Sequence, residues 1–298
     1  MRTVISGVND ADSSVLVLER SLAEARSTNR PLEVVNAWSM PMVTSGMTGL
    51  AYGGLSFSTD DISISAKAVA EELLQKALAS SRDHRQVPTS SAAVAGDAGR
   101  VLVERGKDAG LVVVGGRRHG AVLSVLLGST TSYVLHHAIS PVMIVPGTTA
   151  PGPFLRVIAG VDGEGCSRSA LRWALDAAAR HHCPLTVVHA NNILGMPWPN
   201  TTYPDYDAIA LSWLRKEVAD VLTDTGDVQV RSEVLPGPAA RVLLEVAGPD
   251  DLLVVGSRGR GGFQDLVLGS VATQCATHAR GTVVVVREDQ ERLPSSDR

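Results

Sequence analysis

The chain passes through the same series of sequence patterns twice, and this internal repeat limits its fold more than any single motif does. Early in the repeat, equivalent residues lie 153 positions apart, as Gly7 and Gly160 do. Later in the repeat the separation is 141 positions, as between Gly115 and Gly256. The first copy therefore has 12 additional residues, which we assign to the loop rich in glycine, serine and threonine at residues 38–59. A repeat of about 150 residues predicts two homologous domains.

Proline and glycine residues set the expected domain boundaries. The run PGTTAPGP at residues 146–153 continues neither a strand nor a helix. We therefore expect a first domain over residues 1–147, a linker over residues 148–153 and a second domain over residues 154–288.

Each copy alternates apolar segments of strand length with longer segments of helical periodicity. Val15, Leu18 and Leu22, for example, fall on one face of a helix. The strand segments LVVVG, LLVVG and TVVVV are continuously apolar, as expected where helices cover both faces of a sheet. The pattern predicts an α/β fold of two tandem, doubly wound parallel sheets with five strands each.

The composition limits the classes of function and location. Hydrophobic residues make up 44% of the chain and charged residues 19%, which is typical of globular domains. The formal net charge of -4 gives no electrostatic support for nucleic acid, and we expect no such partner. No apolar run approaches the ~18–20 residues that span a bilayer, and the chain does not begin with a signal-peptide pattern. Three cysteines without a CxxC motif fit a reducing compartment, so we expect a cytoplasmic protein.

A glycine-rich loop in the second copy is the main candidate for a binding site. Residues 256–270 read GSRGRGGFQDLVLGS, after the apolar strand LLVV and before a segment that can form a helix. Glycines let backbone N–H groups approach an anion, and a helix N-terminus adds partial positive charge. This order of strand, loop and helix predicts a phosphate site. The loop has neither the P-loop motif GxxxxGK[ST] nor an intact dinucleotide motif GxGxxG.

The spacing Gly256-x2-Gly259-x9-Gly269-Ser270 resembles the ATP-binding signature of the universal stress protein family, in its tandem two-domain form. The resemblance covers nearly the whole chain, apart from the loop at 38–59, the linker and the C-terminal tail. It implies domains that are Rossmann-like, of the adenine nucleotide α-hydrolase-like type.

The resemblance also implies which residues hold the nucleotide. In the family, an aspartate after the first strand lies at the adenosine end, and the backbone at the end of the second strand contacts the adenine. The loop glycines and the following hydroxyl residue hold the ribose and phosphates. Carried over to this chain, the residues are Asp162, Val188, Gly256, Gly259, Gly269, Ser270 and Val271. Arg258 and Arg260 either add charge for a polyphosphate or are solvated loop residues.

The first copy departs from this pattern at two positions. Asn9 stands where the second copy has Asp162, and it lacks the charge that strengthens a bond to a ribose hydroxyl. Arg118 stands where the second copy has Gly259, and it either blocks the phosphate or pairs with it. Three residues of the loop and helix start are kept in the first copy, namely Gly115, Gly128 and Ser129. We predict that the first domain binds ATP more weakly than the second, or not at all.

Self-association is a further implication of the resemblance, commonly through the last strand of a domain. The apolar runs PVMIVP at 141–146 and TVVVVRE at 282–288 are the candidate edges, since pairing would cover them. Tandem domains can also satisfy this pairing inside one chain, with a dimer of chains as an addition.

The function that these patterns favour is an ATP-binding stress-response regulator or sensor, with ATP bound alone or with Mg2+. Hydrolysis needs a base positioned for the attacking water, and a metal ion or arginine that stabilises the charge of the transition state. The loops contain no such base together with a second carboxylate that could bind Mg2+. We therefore expect no metabolic enzyme, and at most slow ATP hydrolysis. The first alternative is an interaction module whose pockets no longer bind nucleotide. An adenylyl or phosphoryl transferase on a related sheet ranks last. Nucleotidylyl transferases of that architecture carry a histidine pair near the first strand, and the loops at this place, NDADSS and DGEGCS, contain none.

Overall fold

A computed structural model of the chain describes residues 2–9, 13–39, 59–81, 86–116, 127–147, 152–163, 167–191, 206–221, 223, 226–258 and 268–287. The first domain contains, in order, β1 (Val4–Val8), α1 (Ser13–Ser27), β2 (Leu32–Trp38), α2 (Thr59–Ser80), β3 (Thr89–Ala95), α3 (Ala98–Arg105), β4 (Leu111–Gly116), α4 (Ser129–His137) and β5 (Val142–Pro146). The second contains β6 (Val157–Val161), α5 (Arg168–His181), β7 (Leu185–Asn191), α6 (Tyr206–Val221), β8 (Val230–Pro236), α7 (Ala239–Val246), β9 (Leu252–Gly256), α8 (Ser270–His278) and β10 (Thr282–Val286).

The predicted alternation of strands and helices is confirmed, but both end residues of the loop assigned to 38–59 belong to regular elements, and Thr59 begins α2. The sequence patterns assigned Trp38 to that loop, but β2 continues through Trp38, which pairs with Ala95 of β3. Continued pairing with the neighbouring strand extends β2 beyond its apolar segment.

The ten strands among the described residues form one sheet, in the order β3-β2-β1-β4-β5-β10-β9-β6-β7-β8. Pairing is parallel within each domain. The two halves meet at an antiparallel pair, in which Val284 of β10 lies opposite Met143 of β5. The last strands of the two domains are therefore partners inside one chain, which covers the two apolar edges noted in the sequence.

Helices cover both faces of the sheet, as a doubly wound fold requires. On one face, α1 and α2 of the first domain and α5 and α6 of the second pack on a core that includes Leu18, Leu22, Leu171 and Leu214. On the other face, α3, α4, α7 and α8 pack on a second core that includes Leu102, Val134, Leu243 and Cys275. Both cores contain residues of both domains, so each apolar layer continues across the β5–β10 junction.

Close helix packing explains one repeated glycine in each first strand. A β-carbon on Gly7 would lie 2.6 Å from Cδ1 of Leu102, and one on Gly160 would lie 2.7 Å from Cδ1 of Leu243. The equivalent residues of both domains thus make the same close contact between strand and helix. A side chain at either position would have to displace a core leucine.

A buried polar cluster joins the two domains beside this junction. Glu24 of α1 is 1% exposed, and its Oε1 lies 2.9 Å from Nε2 of His181, the last residue of α5. Arg20 donates from Nη2 to the carbonyl of Gly152 at 2.9 Å, and its guanidinium lies 4.0 Å from the ring centre of Phe154. The cluster therefore fixes the end of the linker between the first helices of the two domains.

The charge of Glu24 is stabilised by its neighbours. Burial alone would raise the pKa of this carboxyl, but the hydrogen bond to His181 and the charges of His181, Arg180 and Arg20 hold the pKa below its usual value. Burial also lowers the pKa of Arg20, against the nearby charge of Glu24. Removing the carboxylate would leave buried positive charge without its partner.

Within the described ranges, no helix is both long and apolar enough to cross a membrane.

Candidate functional site

The second domain brings the ends of three strands together at the point where its strand order reverses. Strand β6 lies between β7 and β9, with Val161 opposite His189 and Gly160 opposite Val255. Because all three strands are parallel, their carboxyl ends lie side by side at one sheet edge. Ligands of open α/β sheets bind in the crevice outside such an edge.

Asp162 follows β6 directly at this edge and is held in place by Ser167. The backbone N–H of Asp162 donates to Oγ of Ser167 at 3.2 Å, and this hydroxyl donates to Oδ1 of Asp162 at 3.0 Å. Ser167 is the N-cap residue of α5 and is buried. The reciprocal bonds tie the end of the strand to the start of the helix and restrict the aspartate carboxylate.

The end of β7 and one tryptophan of α6 lie against the same turn. Val188 of β7 is buried, and Nδ1 of the next residue, His189, donates to the carbonyl of Val161 at 3.1 Å. The rings of His189 and Trp213 are tilted against each other, with ring centres 5.5 Å apart. Sequence patterns pointed to Val188 but not to the contact between these rings, which depends on how α6 packs.

The glycine loop leaves β9 and enters α8 as the sequence predicted. Gly256 is the last residue of β9, Gly269 is the N-cap of α8 and Ser270 is its first residue. The N–H of Gly269 donates to the carbonyl of Ser257 at 2.7 Å, so strand exit and helix start are adjacent. Ser270 is exposed, whereas Val271 is partly buried and packs on the second core. Gly259 and Arg260 lie outside the described residues.

Two arginines place positive charge at this end of the second domain. Burial, and then the nearby charge of Arg258, lower the pKa of Arg287, which follows β10. Arg287 donates from Nη2 to the carbonyls of Leu135 and His136, at 3.2 and 2.6 Å, near the C-terminus of α4. Sequence patterns did not indicate Arg287, because its position as the first charge after TVVVV gives no sign of a contact with the other domain.

The first domain repeats the turn but not its surroundings. The N–H of Asn9 donates to Oγ of Ser14 at 3.2 Å, and this hydroxyl donates to Oδ1 of Asn9 at 2.8 Å. Asn36 takes the position of His189 opposite the end of β1, but its amide donates to the carbonyl of Ala66 on α2 at 3.0 Å. Among the described residues, the first domain thus has the amides of Asn9 and Asn36 where the second has a carboxylate and an imidazole.

The retained loop residues of the first domain keep their positions at strand end and helix start. Gly115 lies in β4, Gly128 is the N-cap of α4 and Ser129 is its exposed first residue. The hydroxyl of Thr131 donates to the carbonyl of Gly115 at 2.8 Å, which ties the helix to the strand. Arg118 lies outside the described residues.

Metal binding and thiol chemistry find no support in the part of the chain that the structure describes. It contains no group of three or more histidine, cysteine or acidic residues able to hold a metal. The run His181-His182-Cys183 ends α5, with His182 in the left-handed conformation at φ 52°. Burial raises the pKa of the Cys275 thiol on α8 to about 12, so this thiol stays protonated at neutral pH.

Comparison with known proteins gives consistent matches over both domains. The model of the universal stress protein family matches residues 1–146 and again residues 153–287. A universal stress protein of Mycobacterium tuberculosis (strain ATCC 25618 / H37Rv) is 30% identical over 289 residues, covering 96% of each chain. One from Mycolicibacterium smegmatis is 38% identical over 191 residues, which cover 63% of this chain and 65% of that protein.

A solved structure shows the same fold over the full chain. The crystal structure of a universal stress protein from Archaeoglobus fulgidus DSM 4304 superposes with a TM-score of 0.68, at 19% sequence identity. It covers 96% of this chain and 98% of its own. Since the family model matches each half and the fold agrees, this chain belongs to the universal stress protein family, as a tandem pair of its domains.

Proposed function

We propose that the second domain binds ATP, alone or with Mg2+, at the carboxyl ends of β6, β7 and β9, and acts as a nucleotide-dependent regulator. The observation that carries the proposal is the position of Asp162, held by Ser167 at the sheet edge where the glycine loop leaves β9 and α8 begins. A fixed carboxylate and a helix N-terminus at one edge suit the two ends of a nucleotide.

The chemistry of each end supports this assignment. A carboxylate accepts charge-assisted hydrogen bonds from ribose hydroxyls. The start of α8 offers backbone N–H groups to phosphate, because its N-cap, Gly269, has no side chain to accept them. Arg258 and Arg287 add positive charge beside the loop. Mg2+ would enter on the ATP phosphates, since the described residues contain no acidic cluster of their own.

We propose regulation rather than catalysis because ATP bound at this site could change a contact between the two domains. ATP shifts a conformational equilibrium only if it binds the two states with different affinity. Arg287, next to the second-domain loop, also donates to two carbonyls of α4 in the first domain. Phosphate binding near Arg258 and Arg287 therefore acts on a contact between the domains.

The first domain is proposed to bind ATP more weakly or not at all, because Asn9 replaces the carboxylate of Asp162. Self-association of whole chains is also proposed, but it needs a surface other than β5 and β10, which already pair with each other. A reducing, cytoplasmic location is consistent with the free thiols of Cys183 and Cys275, both buried.

The direct experiment identifies the nucleotide that the purified full chain carries. The protein is denatured, and released compounds are separated by chromatography, with ATP–Mg2+ binding measured in parallel. The variant Gly259→Glu places a charge in the second-domain loop, and Arg118→Glu makes the matched change in the first. We expect about one adenine nucleotide per chain, lost in Gly259→Glu and kept in Arg118→Glu. No release and no binding of added ATP–Mg2+ would overturn the proposal and favour the interaction module.

A further inference from the structure

The turn that carries Asp162 rests on the ring of Trp213. Gly163, the next residue, has a φ of 92°, a conformation that favours glycine. A β-carbon at Gly163 would lie 2.2 Å from Cη2 of Trp213. The backbone of the turn therefore touches the indole edge, and the tryptophan of α6 limits how far this turn can move inward.

His189 holds the same turn from the neighbouring strand. Its Nδ1 donates to the carbonyl of Val161, the residue before Asp162, at 3.1 Å. The His189 ring also packs against the ring of Trp213, with an interplanar angle of 66°. The residues on both sides of Asp162 are thus in contact with one or the other of these two rings, while Ser167 holds the carboxylate itself.

The first domain shows that the turn forms without this support. Asn9 and Ser14 make the same reciprocal hydrogen bonds as Asp162 and Ser167. The residue opposite the end of β1 is Asn36, and its amide turns to the carbonyl of Ala66 rather than to the strand end. The two rings of the second domain are therefore not required by the fold of the turn.

We propose that Trp213 and His189 are positioning residues that set the carboxylate of Asp162 for the ribose hydroxyls of the nucleotide. This inference rests on the proposed ATP site of the second domain. A hydrogen-bonding group must be held to within about 0.5 Å to be effective, and its supporting residues supply that restriction. His189 and Trp213 accordingly determine selectivity for the sugar, whereas the glycine loop and α8 bind the phosphates.

The test compares two ligands that differ in the groups Asp162 would bind. Affinities of the full chain for ATP and for 2′,3′-dideoxy-ATP are measured by calorimetry. His189→Asn installs the residue of the first domain, Trp213→Leu removes the indole, and Trp213→Phe restores a ring. Trp173→Leu, a partly buried tryptophan of α5 that packs on the core, is the matched control. Thermal unfolding of each variant verifies that it folds.

We expect ATP to bind about tenfold more weakly to His189→Asn and Trp213→Leu, the size of one hydrogen bond to a charged group. Trp213→Phe recovers part of the loss, and Trp173→Leu changes nothing. The affinity for 2′,3′-dideoxy-ATP stays the same in every variant. In an Asp162→Asn background the two substitutions have no further effect on ATP, because the group that they position is gone.

Two results would overturn the inference while leaving the ATP site intact. One is an equal loss of affinity for both ligands, and the other is an unchanged affinity for ATP in both His189→Asn and Trp213→Leu. Failure of the unaltered chain to bind either ligand would instead overturn the proposed function, and this inference with it.

Discussion

The two domains fold the same turn at the end of their first strands and surround it differently. Asn9 with Ser14, and Asp162 with Ser167, exchange the same two hydrogen bonds. The turn thus needs an oxygen at the strand end and a hydroxyl at the helix start, and an amide supplies that oxygen as well as a carboxylate does. Among the described residues at these two strand ends, the carboxylate and the contacting rings belong to the second domain. This difference separates what the turn needs in order to fold from the side chains that we propose for nucleotide binding.

A second asymmetry concerns the helices that follow. Glu24 on α1 is buried among charged residues, whereas the equivalent position of α5, 153 residues later, is Ala177. One domain supplies the carboxylate and the other supplies His181 and Arg180, so the polar cluster exists because the two copies have diverged. Divergence at this position creates a contact between the domains, whereas divergence at Asp162 changes the charge at the end of the first strand.

The largest expected effect comes from replacing Glu24 of α1 by alanine, the residue at the equivalent position of α5. Glu24→Ala leaves buried positive charge near Arg20 and Arg180 without its partner, and we expect a loss of about 3–5 kcal/mol in the free energy of unfolding. Urea unfolding of the full chain measures it. Glu104→Ala, which removes an exposed ion pair with Lys107, serves as the control and changes stability by less than about 1 kcal/mol. Equal effects of the two substitutions would contradict the account of the cluster.

Gly7 and Gly160 test a feature that the two domains share, the close contact between the first strand and a leucine of a packed helix. Gly7→Ala and Gly160→Ala each force a methyl group against a core leucine, and we expect each to destabilise the chain by about 1–3 kcal/mol. Because the two domains make the same contact, we expect similar values for the two substitutions in urea unfolding. A large effect at one glycine and none at the other would show that the domains pack differently at this position.

A smaller effect is expected at Arg287, whose equivalent in the first domain is Pro146, a residue without a side-chain donor. Arg287→Ala removes hydrogen bonds to two carbonyls near the C-terminus of α4. We expect a loss of about 1–2 kcal/mol, together with faster hydrogen exchange in α4 of the first domain. Unchanged exchange in α4 would argue against a contact between the domains through this residue.

Lowering the pH should weaken the polar cluster around Glu24 and reduce the stability of the folded chain. The pKa of Glu24 is lowered in the folded chain, so the unfolded chain takes up this proton first as the pH falls. The stabilisation by Glu24 is complete above the ordinary glutamate pKa of about 4.3 and is lost as the pH falls through the lowered value. The unaltered chain should therefore lose stability below about pH 4 more steeply than Glu24→Gln does. Parallel pH profiles of the two proteins would contradict this.

Much of the fold can be predicted from the sequence, because the continuously apolar strands are local patterns and the repeat shows that the same series of patterns occurs twice. They indicate ten strands, helices on both faces and the last strands as the edges to be covered. The contacts of His189 and Arg287 cannot be predicted in this way. Each of these contacts joins residues that lie far apart in the chain, and the residue spacing within a single segment does not show which distant residues meet. The position of Asp162 at the strand end is visible in the sequence, but the two rings beside it are not.

The most direct test of the central claim counts ATP sites in the full chain by calorimetry and exchanges the residues at the two strand ends. We predict one ATP per chain in the unaltered protein. Asp162→Asn should weaken binding by about tenfold or more, while Asn9→Asp leaves the second-domain affinity unchanged. Two sites of equal affinity in the unaltered chain, or an Asp162→Asn variant that binds ATP as tightly as before, would contradict the claim that the second domain is the working site.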